Sequence, residues 1–301
     1  MKNPPFHLAI SFELKKIIVL GKGGQLASEL EFLKSKDQNW AFLSIDQLDI
    51  CDKDAVLRYL KNNTCDVIIN CAAYTAVDKA EEEIEACYNV NFKGVENLLG
   101  SINLNNTKLI HISTDYVFDG NKSIPYNEKH TASPNGVYGK SKLAGEKAIS
   151  DSKVKSIIIR TSWLYSNYGN NFVKTMIKIG AQRGNIGVVA DQFGSPTYAN
   201  DLAKIIIKIV EDKNYNWSIG DIFHYSNEGS CTWHEFSSEI FRISKINVNV
   251  KKLTTDEFPT KAIRPKYSIL DKSKLKEVFN IKVPHWKISL NQMLKKELIS
   301  K

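Results

Sequence analysis

A chain of 301 residues, 43% apolar and 25% charged, is large enough for a substantial core and for a main domain with a smaller lobe. It contains no apolar run of the ~18 residues that a membrane span needs, and its five cysteines include no C-x-x-C pair that would begin a zinc site. The net charge of +8 comes from scattered lysines without an Arg-rich block, which fits a solvated surface and a phosphate-bearing small ligand, with no nucleic acid expected as partner.

The opening 1-MKNPPFHLAISFELKK-16 shows no small-residue cleavage site, so residues 1–15 read as an N-terminal arm and not as a signal peptide. Several cysteines sit in apolar, strand-like settings such as 66-DVIINCAA-73, which implies free buried thiols in a reducing cytoplasm. From residue 15 short apolar runs alternate with amphipathic ones. Strands are expected at 15–21, 41–46, 66–72, 108–114 and 156–162. Helices are expected at 24–35, 52–63, 82–103 and 138–150. Continuous apolar strands between amphipathic helices mean parallel strands covered on both faces. The fold class is therefore α/β, a doubly wound parallel sheet of Rossmann type over residues 16–165, with ligands at the carboxyl ends of its strands. Beyond about residue 170 the rhythm weakens, with helices at 171–183, 200–212, 233–244 and 286–298. Residues 166–301 read as a smaller C-terminal α/β lobe, partly interleaved with the main sheet.

The first strand ends in 21-GKGGQLA-27. Gly21 permits a tight turn, and Gly24 lets a pyrophosphate approach the backbone at a helix N-terminus. By itself this pattern is also that of an ordinary strand-to-helix turn. Its place after the first strand, with Asp46 expected to end the second strand 22 residues after Gly24, points to a nicotinamide dinucleotide. Asp46 suits the ribose hydroxyls of NAD, whereas Lys22 beside the loop suits a 2′-phosphate, so NADH and NADPH both stay open.

The strand 108-KLIHIST-114 brings Thr114 to a carboxyl edge of the sheet, and 24 residues later 137-VYGKSKLAGEK-147 puts Tyr138 and Lys142 one helical turn apart. Tyrosine and lysine share that spacing on many surface helices. Here, with the glycine turn upstream and Thr114 at a strand end, the three read as an acid–base set. A free phenol titrates near 10, and a neighbouring ammonium is expected to lower that value toward a useful range. Asn91, in 88-YNVNFKGVENLL-99, reads either as a helix-bending residue or as part of the same chemistry.

Several blocks together resemble the extended short-chain dehydrogenase/reductases, and among them the dTDP-4-dehydrorhamnose reductase family. They are 68-IINCAAYTAVDKAE-81, 111-HISTDYVFDG-120, 137-VYGKSKLAGEKA-148, 160-RTSWLYS-166, 169-GNNFVKTM-176, 191-DQFGSPT-197 and 264-RPKYSIL-270, within a resemblance running from about residue 16 to 298. The resemblance implies reduction of the 4-keto group of a dTDP-linked 4-keto-6-deoxy sugar by NADPH or NADH. Tyr138 would donate the proton, Lys142 would hold the nicotinamide ribose and tune Tyr138, and Thr114 would complete the catalytic set. Cofactor contacts would fall on Gly21, Gly24, Gln25, Leu26, Asp46, Asp49, Ile50, Ala73, Tyr74 and Thr75, besides Tyr138 and Lys142. The sugar nucleotide would touch Thr114, Asp115 and Trp163. Asn171, Lys174, Gln192 and Arg264 would lie near the dTDP moiety, though each could equally fix a loop.

Related 4,6-dehydratases place Asp–Glu after the threonine. Here Asp115 is followed by Tyr116, so the second carboxylate that elimination needs is gone. The remaining alternatives are a reductase or epimerase of another nucleotide-linked keto sugar, and a regulatory subunit like that of methionine adenosyltransferase. Some family members use magnesium at a dimer interface through glutamates. Glu29 matches one such position, but the others fall on Asn200 and Lys296, and a lysine does not ligate magnesium. No metal is therefore expected, and a homodimer, where one forms, would lack a magnesium bridge.

Overall fold

A computed structural model describes residues 15–34 and 38–299, so residues 1–14 of the N-terminal arm lie outside the described residues. The strand β1 (Lys16–Leu20) is buried from Ile17 onward, and α1 (Gln25–Leu33) turns Leu26, Ala27 and Leu30 into the core. Next come β2 (Asn39–Leu43), α2 (Lys53–Asn62) and β3 (Val67–Asn70). The Asp52 carboxylate caps α2 by accepting from the Ala55 amide, satisfying one of the donors a helix start leaves free.

After a short α3 (Val77–Ala80), the single helix expected over 82–103 is interrupted. It consists of α4 (Ile84–Tyr88), a π turn at Asn89–Lys93 and α5 (Gly94–Ser101). The periodicity of side chains does not register one extra residue in a turn, and such turns gather at functional sites. Then follow β4 (Lys108–Thr114), a 3₁₀ turn at Asp115–Val117, α6 (Val137–Ser150) and β5 (Ser156–Thr161).

The second half supplies β6 (Leu164–Tyr165), α7 (Phe172–Gln182), β7 (Asn185–Val189), β8 (Phe193–Gly194), β9 (Thr197–Tyr198) and α8 (Ala199–Glu211). It ends with β10 (Asp221–Tyr225), β11 (Cys231–Thr232), α9 (Trp233–Ser244), β12 (Asn249–Leu253), α10 (Ser273–Val278) and α11 (Trp286–Ile299). Six strands form one sheet in the order β10-β5-β4-β3-β1-β2, and every neighbouring pair is parallel. The register sets Leu20 beside Asn70 and Thr114 beside Thr161, so the strands carrying these residues end at one edge.

The outermost strand β10 comes from the second half of the chain. Its sequence DIFHY carries Asp221 and His224 among apolar residues, so no continuous apolar run announced it. Helix α8 packs Leu202, Ile206 and Ile209 into the same cluster as Leu26, Leu30 and Ile69. A separate cluster joins Val173, Phe236, Ile240, Trp286 and Leu290 of α7, α9 and α11.

On α6, Tyr138, Lys142 and Glu146 lie four residues apart and therefore on one face. The Glu146 carboxylate is 2% exposed and forms a two-pronged pair with Arg160 of β5, at 2.6 Å from Nη2 and 3.0 Å from Nε. The Ser113 hydroxyl donates to the same carboxylate at 2.5 Å. The helix can lie this close to its neighbour because residue 145 is glycine. A Cβ there would come within 2.4 Å of the Asn91 carbonyl oxygen.

Replacing Glu146 with alanine leaves the Arg160 guanidinium buried without its carboxylate. The expected cost is about 3–5 kcal/mol, seen as a lower urea midpoint of Glu146→Ala beside wild type.

Candidate active site

The glycine turn leads straight from the sheet edge into a cavity of about 560 Å³. Gly21 has φ +86°, and a Cβ on it would lie 2.8 Å from the Ala72 amide nitrogen, so both conformation and space demand glycine. The amides of Gly21 and Lys22 bond the Leu43 carbonyl at 3.1 and 2.9 Å, tying the turn to the end of β2. Gly24 caps α1 without a side chain, and no acidic residue stands in the first turn. The first amides of that helix are thus left for an anion, with the positive end of the helix dipole behind them.

Gly24, Gln25, Leu26, Ala73, Thr75, Thr114, Asp115, Tyr138, Lys142, Trp163 and Asn171 all line this one cavity, although they come from widely separated parts of the chain. Thr114 and Tyr138 both line it, and the Thr114 hydroxyl donates to Asp115 Oδ1 at 3.1 Å. The Tyr116 amide donates to Thr114 Oγ1 at 3.2 Å, fixing the rotamer. Tyr116 packs edge-on against Tyr138, with ring centroids 5.5 Å apart.

The electrostatics correct one expectation. The Tyr138 phenol is pushed up from its usual value, by loss of solvent first, while the Thr114 hydroxyl pulls the other way. The Lys142 ammonium expected to lower it turns instead to β4, with Nζ 3.1 Å from His111 Nε2 and 2.7 Å from the Ile112 carbonyl. Burial brings Lys142 down to about 8, against the pull of Glu146, and holds His111 well below its ordinary value. Burial also pushes the Asp115 carboxyl up to about 6, although hydroxyls of Ser268 and Thr114 oppose it.

A second cavity of about 360 Å³ is lined by Asp78, Phe172, Val189, Gln192, Trp233 and Arg264 among others. The Arg264 guanidinium donates to Asp78 at 2.6 Å and to the Tyr116 hydroxyl at 2.8 Å. Between the cavities, Trp163 stacks on Trp233 with ring centroids 3.5 Å apart. Trp163 holds φ at +46°, a strained value for a bulky residue of the kind that gathers at functional sites.

Of the other expected residues, Asp46, Asp49, Ile50, Tyr74 and Lys174 fall outside the two cavities, while Asn171 and Gln192 line them. β2 ends at Leu43, so Asp46 does not end a strand but sits in the exposed turn after it. That turn is closed by bonds from Gln47 and Leu48 amides to the Ser44 carbonyl. The Asp49 carboxylate caps the Cys51 amide at 2.9 Å, and the Ile50 side chain is buried in the core beneath α5. Lys174 is committed to the carbonyls of Asn167 and Gly169, at 2.5 and 3.1 Å. Asn171 caps α7 and also donates to Gln25 Oε1 at 3.0 Å, linking that helix to the glycine turn. Gln192 donates to Thr255 at 3.1 Å.

Tyr74 faces away from the cavity toward Glu83, and its backbone is held by Asn91 through both the amide and the carbonyl, at 3.0 and 3.1 Å. Asn91 thus holds the loop after β3 from inside the π turn. Asn70, His111 and Glu146 are not among the residues expected from the sequence. Polar residues inside the apolar runs VIIN and KLIHIST, and the four-residue repeat on α6, were the available signals.

Glu29 is 1% exposed and has both carboxylate oxygens engaged, by Ser166 at 2.7 Å and Asn200 at 2.7 Å. The side chain of Lys296 lies outside the described residues. Among the described residues no group of three or more His, Cys, Asp or Glu could hold a metal ion, and all five cysteines are free.

A doubly wound sheet with a glycine turn at its edge, and Thr114, Tyr138 and Lys142 around one cavity, is the arrangement that the sequence resemblance to extended short-chain dehydrogenase/reductases leads one to expect. The model of the RmlD substrate binding domain family matches residues 15–299, and the chain belongs to that family. It is 40% identical to the dTDP-4-dehydrorhamnose reductase of Aggregatibacter actinomycetemcomitans, over 93% of this chain and 98% of that one. Among solved structures it is similar to a dTDP-4-dehydrorhamnose reductase from Bacillus anthracis in complex with NADP, at 39% identity and a TM-score of 0.90, covering 94% of this chain and 100% of that one. A Clostridium acetobutylicum dTDP-4-dehydrorhamnose reductase ortholog gives 40% and 0.89, covering 95% and 100%.

The raised Asp115 carboxyl has a consequence for stability. The folded chain keeps that proton up to about pH 6, whereas an unfolded aspartate loses it near 3.8, so folding is progressively disfavoured as pH rises through this window. Asp115→Asn is expected to be more stable than wild type at pH 7, by roughly 2–3 kcal/mol at about 1.4 kcal/mol per unit. The difference should shrink toward pH 4, as measured by urea unfolding at both pH values.

Proposed function

We propose that this protein reduces the 4-keto group of dTDP-4-dehydro-β-L-rhamnose to give dTDP-β-L-rhamnose, using NADPH or NADH in the cytoplasm. The observation that carries the reading is the placing of Thr114, Tyr138 and Lys142 together in the cavity onto which the uncapped start of α1 opens. The reduced nicotinamide, when bound, supplies the hydride.

The chain's own residues do the rest. Free amides at the start of α1, with Gly24 lacking a side chain, suit the pyrophosphate of a dinucleotide. Thr114 and Tyr138 together offer hydroxyls to one carbonyl oxygen. As negative charge builds on that oxygen, the Tyr138 proton passes to it. Burial keeps the phenol protonated at neutral pH, the form a reductase needs. Asp115, next to Thr114, would accept from or donate to a sugar hydroxyl.

In the second cavity Arg264 would exchange Asp78 for the diphosphate, since a guanidinium fork fits phosphate oxygens. Among the described residues Asp115 is the one carboxylate lining the main cavity, and the neutral Tyr116 stands where elimination would need a second. This favours reduction over dehydration. Any homodimer would not be bridged by magnesium at Glu29, because both of its oxygens are bound within the chain.

Purified protein mixed with reduced cofactor and dTDP-4-keto-6-deoxy-L-sugar should consume the cofactor's absorbance, and absence of turnover with both NADPH and NADH refutes the proposal. Tyr138→Phe should lower kcat by about 10²–10⁴ while NADPH affinity, read by fluorescence, stays within about twofold. Arg264→Ala should raise KM for the nucleotide sugar by about 10- to 100-fold, with little change in cofactor affinity.

A further inference from the structure

Behind Lys142 a row of buried polar groups runs inward from the cavity: the Ala72 amide, Asn70, His111 and the lysine amine. The Ala72 N–H lies 3.1 Å from Asn70 Oδ1. A backbone N–H can only donate, so this contact fixes which end of the Asn70 amide faces it. The opposite end, Nδ2, then points at His111 Nδ1, 3.2 Å away. An amide nitrogen likewise only donates, so Nδ1 has to accept and carries no proton. A neutral imidazole with a bare Nδ1 bears its proton on Nε2. That N–H faces Lys142 Nζ at 3.1 Å.

An ammonium group has no lone pair, and meeting an N–H with N–H is repulsive. A neutral amine can accept from His111 and still donate to the Ile112 carbonyl at 2.7 Å. We propose that Asn70 and His111 form a one-way chain of hydrogen bonds that holds Lys142 as a neutral amine in the ligand-free protein, and that binding of the dinucleotide brings a proton onto it. Asn70 and His111 are positioning residues that act through Lys142.

The surroundings agree. Asn70, His111 and Lys142 are each at most 1% exposed, so water cannot rescue a mismatched donor. The groups around the amine are Cys71 after β3, Cys87 on α4, His111 on β4 and Glu146 on its own helix, with Tyr138 and Asp115 lining the same cavity. Glu146, the carboxylate that would most favour an ammonium, is already engaged by Arg160 and Ser113. Burial brings Lys142 down to about 8 against the pull of Glu146, and the opposed N–H acts in the same direction. The phosphates and ribose hydroxyls of a dinucleotide would supply the negative charge and acceptors that an ammonium needs, so ligand binding and proton uptake are linked. This last step rests on the dinucleotide reading of the site.

The first test needs no ligand. A two-bond ¹H–¹⁵N spectrum of the wild-type protein labelled at histidine should show His111 protonated on Nε2 and bare on Nδ1, and the opposite tautomer overturns the proposal. The second is calorimetry of NADPH binding at pH 8 in buffers of differing ionisation enthalpy, which should show uptake of about half a proton or more, because Lys142 in the free protein titrates at about 8 or below. Asn70→Asp is close to isosteric but accepts from Nδ1, which reverses the chain and presents a lone pair to Lys142. It should lose that uptake, whereas a merely structural role for residue 70 predicts no change in it. Uptake absent from wild type, or equal in both proteins, overturns the proposal. Failure of NADPH and NADH to bind at all would count against the functional reading, and the histidine spectrum would still decide the hydrogen-bond chain.

Discussion

The pairing of Glu146 with Arg160 is the constraint on which the site depends. It joins α6 to β5 in a dry interior, and the Ser113 hydroxyl extends it to β4. Arg160 also lies over the Phe118 ring, 5.0 Å from its centroid, and 3.5 Å from His224 of β10. A buried guanidinium held this way tolerates little displacement, because each lost contact exposes charge to a low dielectric. Lys142 and Tyr138 stand one and two helical turns from that anchor, about 6 and 12 Å along the axis. The helix passes the position of its anchored end on to its reactive end.

The two cavities communicate through few atoms. Arg264 reaches from the second cavity to the Tyr116 hydroxyl, and the Tyr116 ring rests on Tyr138 in the first. Beside this contact the Trp163–Trp233 stack forms the partition, and Gly194 leaves room for it, since a Cβ there would lie 2.5 Å from the Trp163 ring. Aromatic surface on both sides of a wall gives each cavity an apolar face, while polar selectivity falls to Asp115, Gln192 and Arg264 at its rims.

Much of this architecture was legible because it rests on local regularities. Five of the six sheet strands announced themselves as apolar runs, and the extents of β4 and α9 agree with the expected 108–114 and 233–244. What escaped reading depends on relations across the fold. β10 is too polar to stand out alone, and its place follows from pairing with β5. Asp46 seemed to end a strand because 41-AFLSID-46 is apolar to its last residues, but the chain turns at Ser44 to let Leu43 hold the glycine turn. The expected effect of Lys142 on Tyr138 used the correct spacing on the helix. Spacing does not reveal how deeply Lys142 is buried, nor that His111 competes for the amine.

The π turn at Asn89–Lys93 gives the chain an unusual sensitivity to its own length. Deleting one residue there would let α4 run regularly into α5, an improvement by helix geometry alone. It would also swing the following side chains about 100° around the axis. Asn91 would then leave the Tyr74 backbone that it holds from both sides, and the loop after β3 carrying Ala73 and Thr75 would lose its brace. At this point the number of residues matters as much as their identity, because a regular helix would point Asn91 away from the loop it holds.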